Sequence, residues 1–150
     1  MKLSSGVFLA AFLSAGLVAV AAASPAVVAL SPSTMHWVAG TGVNKGTSMA
    51  ILTGDPNKAD ASFIRVKMPD GYVNQPHFHS HPEYITVIQG TLLFGTGDVV
   101  NKSQAHAFPT GSFIAVPAGL HHWSVTEGET IEQIGGQGPL VNIPIKHKAM

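Results

Sequence analysis

His77, His79, His81 and Glu83 fall within seven consecutive positions of a chain that has only eight acidic and eight basic residues in 150. Imidazole nitrogen and carboxylate oxygen are the side-chain donors that suit borderline divalent metals, so the cluster points to a bound transition-metal ion. In an extended segment, side chains at i and i+2 share a face. His77 and His79 therefore project together, and Pro76 biases the residue before it toward extended backbone. Glu83 has the same parity, and Ile85 and Val87 continue it. The expectation is an odd-numbered face that looks into a barrel, with His77, His79 and Glu83 at the mouth and Ile85 and Val87 deeper. His81 shares the parity, but Ser80-His81-Pro82 reads as a turn, which leaves its direction open. A surface loop would account for one histidine; it accounts poorly for three donors suited to a single ion.

A second segment offers a further ligand. Gly111 to His122 reads as strand, turn, strand, with Pro117 and Gly119 in the turn and His121-His122 just after it. The elements that must hold these groups are short and extended. Phe63–Met68, Tyr84–Ile88, Thr91–Phe94, Ser112–Val116, Trp123–Thr126 and Thr130–Ile134 are rich in β-branched and aromatic residues. Gln89-Gly90 reads as a tight hairpin turn and Glu127-Gly128-Glu129 as another turn. Ile143-Pro144-Ile145 reads as an edge, because proline cannot donate to a ladder. No segment after residue 24 sustains a helical period. Sixteen glycines and ten prolines punctuate strands at roughly ten-residue spacing, which predicts an all-β sandwich or barrel.

These residues resemble the cupin superfamily. Its first motif, G-x5-H-x-H-x3,4-E-x6-G, is matched by Gly71, His77, His79, Glu83 and Gly90. Its second, G-x5-P-x-G-x2-H-x3-N, is matched by Gly111, Pro117, Gly119 and His122, with Thr126 in place of the final Asn. The resemblance covers roughly Ala61 to Ile134. It implies a double-stranded β-helix, a jelly-roll-like barrel, with one divalent metal in its mouth. The implied ligands are His77, His79, Glu83 and His122, with Glu83 acting as ligand or proton acceptor. The spacing from Gly119 selects His122 over His121, and alternation then sends His122, Ser124 and Thr126 one way and His121, Trp123 and Val125 the other. Trp123 is expected to pack outside the barrel or at a subunit contact. Tyr84 and Thr86 are expected on the layer opposite the ligands. His106 is expected to face solvent, and His36 and Trp37 to pack near a strand end ahead of the barrel. A homodimer is implied by the resemblance alone.

Three histidines and a carboxylate leave open positions on a six-coordinate ion, the arrangement of a reactive site rather than a closed structural one. Iron or manganese is favoured by the frequency of such chemistry in the superfamily; nickel, copper, cobalt and zinc suit the same donors. The expected function is a metal-dependent, dioxygenase-like oxidoreductase acting on a small organic molecule, with decarboxylase, lyase or isomerase chemistry also within the superfamily's range. The alternative is a non-catalytic metal or small-ligand binding protein of the cell envelope, because the expected inward face (Ile85, Val87, Ser124, Thr126) offers no further acid or base. A structural oligomer that merely keeps the motif is the weakest reading, since an unpaired ligand set is costly in an apolar barrel.

The composition bounds the rest. The length suits one domain, and 45% hydrophobic against 11% charged residues provides a core under a weakly charged surface. No basic cluster suits nucleic acid. The chain has no cysteine, so packing alone must hold it together and no thiolate can serve a metal. Met1-Lys2, the apolar run from Gly6 to Val20 and Ala21-Ala22-Ala23 have the layout of a cleaved secretory signal peptide. The expected organisation is a signal peptide at 1–23, an N-terminal arm with the first strands at 24–60, the barrel core at 61–136 and a C-terminal extension at 137–150. Export follows from it, to the periplasm in a Gram-negative cell or to the outside, with no stable membrane anchor after cleavage.

Overall fold

The computed structural model describes residues 26–145; the signal peptide expected at 1–23 lies outside them. Nine strands form the frame: β1 (Val38–Ala39), β2 (Ser48–Thr53), β3 (Ala61–Met68), β4 (Val73–Phe78), β5 (Glu83–Thr96), β6 (His106–Pro109), β7 (Phe113–Val116), β8 (His122–Gln137) and β9 (Ile143–Pro144). Three single 3-10 turns, Pro32–Thr34, Gly42–Asn44 and Lys102–Gln104, are the helical elements among the described residues. Two of these turns, Pro32–Thr34 and Gly42–Asn44, fall with β1 and β2 in the segment expected at 24–60. The order β1-β2-β3-β8-β4-β9 is antiparallel throughout, and β5 pairs with β6, β7 and β8. The result is a curled all-β barrel of jelly-roll type, as the strand spacing predicts. Ile143-Pro144 sits at the sheet edge, where the missing N–H of proline is tolerated.

Two long strands are the spine. β5 has 14 residues and β8 has 16, and they pair from Glu83↔Gly136 to Thr96↔His122. The first half of β5 also pairs with β7, and its second half with β6, so one strand serves two neighbours in succession. This corrects two sequence expectations. Gln89-Gly90 is not a hairpin, and Glu127-Gly128-Glu129 is not a reversal. Both lie where the register shifts, between Gln89↔Ile131 and Thr91↔Glu127. The extra residues are absorbed as an irregular bulge, which bends the pair without ending it. Gly90 has φ +79° there, and a Cβ would meet the Glu129 carbonyl oxygen at 2.6 Å, so glycine is required by both backbone and space.

Alternation along β5 sorts the two faces. Glu83, Ile85 and Val87 are buried, whereas Tyr84 is 47% exposed and stacks on exposed Phe113 on the outside. Ile85 and Val87 join Ile64, Met68, Leu92, Phe94, Val116 and Ile134 in the core. Each such aliphatic side chain contributes about 1.5–3 kcal/mol when fully buried, which replaces the cross-links the chain lacks. Trp123 lies on the parity opposite to His122, as expected, and its burial bears on the subunit-contact alternative. It points away from the histidines, as its parity requires, yet it is 1% exposed and so offers no surface to a second subunit. Its cross-strand partner is Gly95, and the indole lies where a Cβ of residue 95 would be. A glycine inside a strand pattern marks such a close approach. The N-terminal segment rests on β3, where Arg65 Nη1 meets Met35 Sδ at 3.7 Å and Lys67 Nζ lies 4.7 Å from the centre of the Trp37 ring. His36 is exposed.

Candidate metal centre

β4 runs straight into the site. His77 pairs in register with His122 on β8, and their ring centres are 4.3 Å apart. His79 follows just beyond β4, 5.0 Å from the His77 ring and 5.4 Å from that of His122. One ligating nitrogen from each of the three lies within 4.8 Å of the others, and all three residues are buried. Glu83 opens β5 with its Oε2 at 3.4 Å from Nε2 of both His79 and His122. The structure therefore brings together the four residues singled out in the sequence.

The outer nitrogen of each ring is held by a backbone carbonyl. His77 Nδ1 bonds Gln75 O at 2.7 Å, His79 Nδ1 bonds Val141 O at 3.0 Å and His122 Nδ1 bonds Leu120 O at 2.9 Å. A carbonyl oxygen only accepts, so each Nδ1 carries a proton, and the neutral form of each ring has its lone pair on the inner nitrogen, Nε2. His79 Nε2 and Glu83 Oε2 are buried without a hydrogen-bond partner; their 3.4 Å approach lacks the angles of a hydrogen bond. Orphaned buried polar atoms are costly, and three clustered imidazoles with a carboxylate beside two of them fit a divalent cation. Phe94 stacks on the His122 ring at 5.4 Å and fixes its plane from the apolar side.

The titration behaviour agrees with this geometry. Burial, with repulsion from His122 next, lowers His77 to about 4, so its ring is neutral at physiological pH. Burial opposes ionisation of Glu83, but His122 and His79 outweigh it and hold the carboxylate at about 2. Burial likewise opposes a charge on His79, and the adjacent Glu83 prevails and raises its pKa. A positive charge is thus favoured between His79 and Glu83.

Other sequence candidates lie elsewhere. His81 sits in the Ser80–Pro82 turn and its Nδ1 is 3.0 Å from Ser80 Oγ. His121 Nδ1 is 2.6 Å from Asp98 Oδ1, and its ring stacks on Phe78. His106 is exposed on β6. Thr126, in place of the motif Asn, donates to Pro69 O at 2.6 Å and accepts from the Tyr72 amide at 2.9 Å; its role is to tie β8 to the loop before β4.

A cavity of about 400 Å³ opens beside the cluster. His79, Glu83 and Glu132 provide part of its polar wall, with Tyr72, Thr47 and Asn142, and Met49, Val66 and Met68 part of its apolar wall. Residues 38–44, from the N-terminal segment, form its lip. Glu132, 4% exposed, is the residue that sequence reasoning missed. The run Thr130-Ile-Glu-Gln-Ile134 has apolar residues at 131 and 134, of opposite parity, so alternation alone does not say which face is inward. The register decides it: Ile134 pairs with Ile64 and Ile85, and Glu132, two positions away, faces the same way.

Fold and site together define a cupin-like protein with a three-histidine cluster able to hold a metal ion. The chain belongs to the family described as a domain of unknown function, DUF4437, which matches residues 26–137. It is 30% identical over 81 residues to germin-like protein subfamily 3 member 2 of Arabidopsis thaliana, a match that covers 53% of this chain and 36% of that relative. The chain thus spans well under half of that relative's length. The fold is similar to that of the polyketide cyclase RemF from Streptomyces resistomycificus, with a TM-score of 0.63 and 18% identity over 80% of this chain and 86% of the other. It is also similar to an oxalate oxidase, with a TM-score of 0.54 and 21% identity over 72% of this chain and 60% of the other.

Proposed function

We propose that this protein is an exported metal-dependent enzyme, a dioxygenase-like oxidoreductase acting on a small organic molecule. His77, His79, Glu83 and His122 would hold one divalent transition metal, with iron or manganese favoured. One observation carries the reading: three Nε2 lone pairs, oriented by Nδ1 bonds to backbone carbonyls, converge with an ionised and orphaned carboxylate beside a cavity. Such an ion supplies Lewis acidity and, if redox-active, electron transfer to a bound oxygen-containing molecule. The protein's own part is orientation and exclusion of water. The backbone carbonyls lock the imidazoles, Phe94 braces His122, and Met49, Val66 and Met68 give the cavity an apolar wall. Glu83, ionised at neutral pH, is placed to serve as a ligand or to accept a proton.

The activity is this chain's to demonstrate, because the fold also serves a polyketide cyclase. Protein loaded separately with iron, manganese, nickel and zinc is assayed for oxygen consumption against a panel of small oxygenated compounds. Metal-dependent consumption with iron or manganese supports the reading. Stoichiometric metal without turnover of any compound favours the second reading, a metal or small-ligand binding protein, which the apolar walls of the cavity also suit. Self-association belongs to the proposal as well, with the exposed Tyr84–Phe113 pair as an outer contact surface, and light scattering measures it.

A further inference from the structure

Glu132 is a carboxyl group in an apolar lattice. Its cross-strand partners are Val66 on β3 and Val87 on β5, and the next inward row of the same wall is Ile64, Ile134 and Ile85. It is 4% exposed, lines the cavity, and makes no side-chain hydrogen bond among the described residues. Three of the polar side chains that share the cavity already have partners. The Tyr72 hydroxyl donates to Val43 O at 3.3 Å, Thr47 Oγ1 to Asn44 O at 2.8 Å, and Asn142 Nδ2 reaches Asn74 Oδ1 at 3.4 Å. A carboxyl group in such a place costs stability unless something completes it. Fold maintenance does not explain it, because a leucine would fill this row better.

The distance to the metal-binding cluster limits what could complete it. Glu83 opposes Gly136 and Glu132 opposes Val87, so the two carboxyl-bearing rows are four ladder positions apart. That is ~13 Å along the strand before either side chain reaches inward. One small molecule can bridge the two ends only if an apolar body separates two polar groups. Burial, with the Glu83 charge adding to it in the metal-free protein, pushes Glu132 up to about 8; a carboxyl buried with no cationic partner of its own favours the protonated form, which has a hydrogen to donate.

We propose that Glu132 is the specificity residue of this cavity, donating a hydrogen bond to the distal carbonyl oxygen of a medium-chain oxo acid whose carboxylate end meets the histidine cluster. The inference rests on the metal reading above, since the cluster must carry a cation to receive the carboxylate. The isoleucine row between the two ends accommodates the methylenes.

Calorimetry on manganese-loaded protein tests it, with hexanoate, heptanoate, 5-oxohexanoate and 6-oxoheptanoate as probes. At least one oxo acid is expected to bind about tenfold more tightly than the matching alkanoate, the worth of one good hydrogen bond in a dry site. Glu132→Leu is expected to erase that preference, read as the ratio of oxo-acid to alkanoate affinity within the one variant. Glu132→Gln, whose amide N–H still donates, is expected to keep most of it. Melting temperature and metal content confirm that both variants are folded and loaded. The proposal is overturned if no oxo acid outbinds its alkanoate, if no probe binds at all, if the leucine variant keeps the preference, or if the glutamine variant loses it as fully as leucine does. Metal analysis of the parent is read separately. Failure to take up manganese sinks the metal reading and, with it, the carboxylate contact this assignment needs, whereas full manganese loading without an oxo-acid preference sinks the Glu132 assignment alone.

Discussion

Glu83 and Glu132 line the same cavity, on paired strands, at 5% and 4% exposure, and they behave oppositely. Glu83 lies 3.4 Å from two imidazoles and is held ionised; Glu132 lies between two valines and is held neutral. Burial is almost identical, so burial does not explain the difference. Partners explain it. Desolvation opposes charge at both carboxyls, and only Glu83 has cationic neighbours to outweigh it. A cavity with one carboxylate and one carboxylic acid has a polar end that attracts cations and a wall that donates a hydrogen bond. Such divergence between two titratable groups is how one pocket supports distinct acid and base roles.

The strongest way to break the contrast is to remove the imidazoles. His79→Ala and His122→Ala are each expected to reduce bound metal from one per chain to background, as measured by elemental analysis after loading. In the double variant Glu83 loses the partners that hold it ionised, and its pKa is expected to climb toward that of Glu132. Carbon-13 titration of the side-chain carboxyls reads this directly, and an unmoved Glu83 would show that the imidazoles are not what sets its charge.

Stability against pH should separate the two carboxyls by sign. Glu83 has a folded pKa depressed from 4.5 to about 2, so it contributes stability above pH 4.5 that is lost as pH falls toward 2. Glu132 has a folded pKa raised from 4.5 to about 8, so the native state keeps a proton the unfolded chain has released. Metal-free stability should therefore decline from this group as pH rises from 4.5 to 8. Urea unfolding is expected to show Glu132→Leu stabilised by roughly 1–3 kcal/mol at pH 8 and little changed at pH 4. Glu83→Gln should be destabilised at pH 7 and nearly neutral at pH 2. Parallel pH profiles for the two variants would refute the distinction.

His77 sharpens the picture at the cluster itself. Its folded pKa of about 4 lies below its unfolded value, so folding disfavours its protonation. Metal-free protein should lose stability through His77 as pH falls from 6.5 to 4, and His77→Gln should flatten that part of the urea-unfolding profile by ~1 kcal/mol or more. The smallest effect is expected on the other face of β5. Tyr84→Ser, one residue from Glu83 but 47% exposed, should change monomer stability by about 0.5 kcal/mol or less and leave metal content untouched. A loss of metal in this variant would mean that the two faces of β5 are not independent.

Much of the site was legible because strand alternation is a local rule. Glu83, Ile85 and Val87 go inward and Tyr84 goes outward for the same reason that His77 and His79 point together. The strand ends were not legible in the same way. Gly90 and Gly128 carry the local marks of turns, but each adopts its positive φ inside a continuing strand pair. Whether a glycine reverses a chain or bends it depends on what the flanking residues pair with, and those partners are some forty residues away in sequence. Trp123 shows the same limit. Its parity was readable, while its burial required Gly95 to lie directly across the ladder.

By itself, the sequence determined an all-β class, the absence of any covalent cross-link, and the four residues His77, His79, Glu83 and His122 as a set. Residue type and short-range spacing are enough for the class and for His77, His79 and Glu83, because ligand chemistry and strand parity act over a few positions; His122 joined the set through the resemblance to the cupin motifs. The tertiary structure alone decided that Glu132 shares a cavity with His79 and Glu83. Its face is set by pairing with Val66 and Val87, and its protonation by the absence of any partner there. Long-range register chooses a residue's neighbours, and in a buried site the neighbours choose its charge.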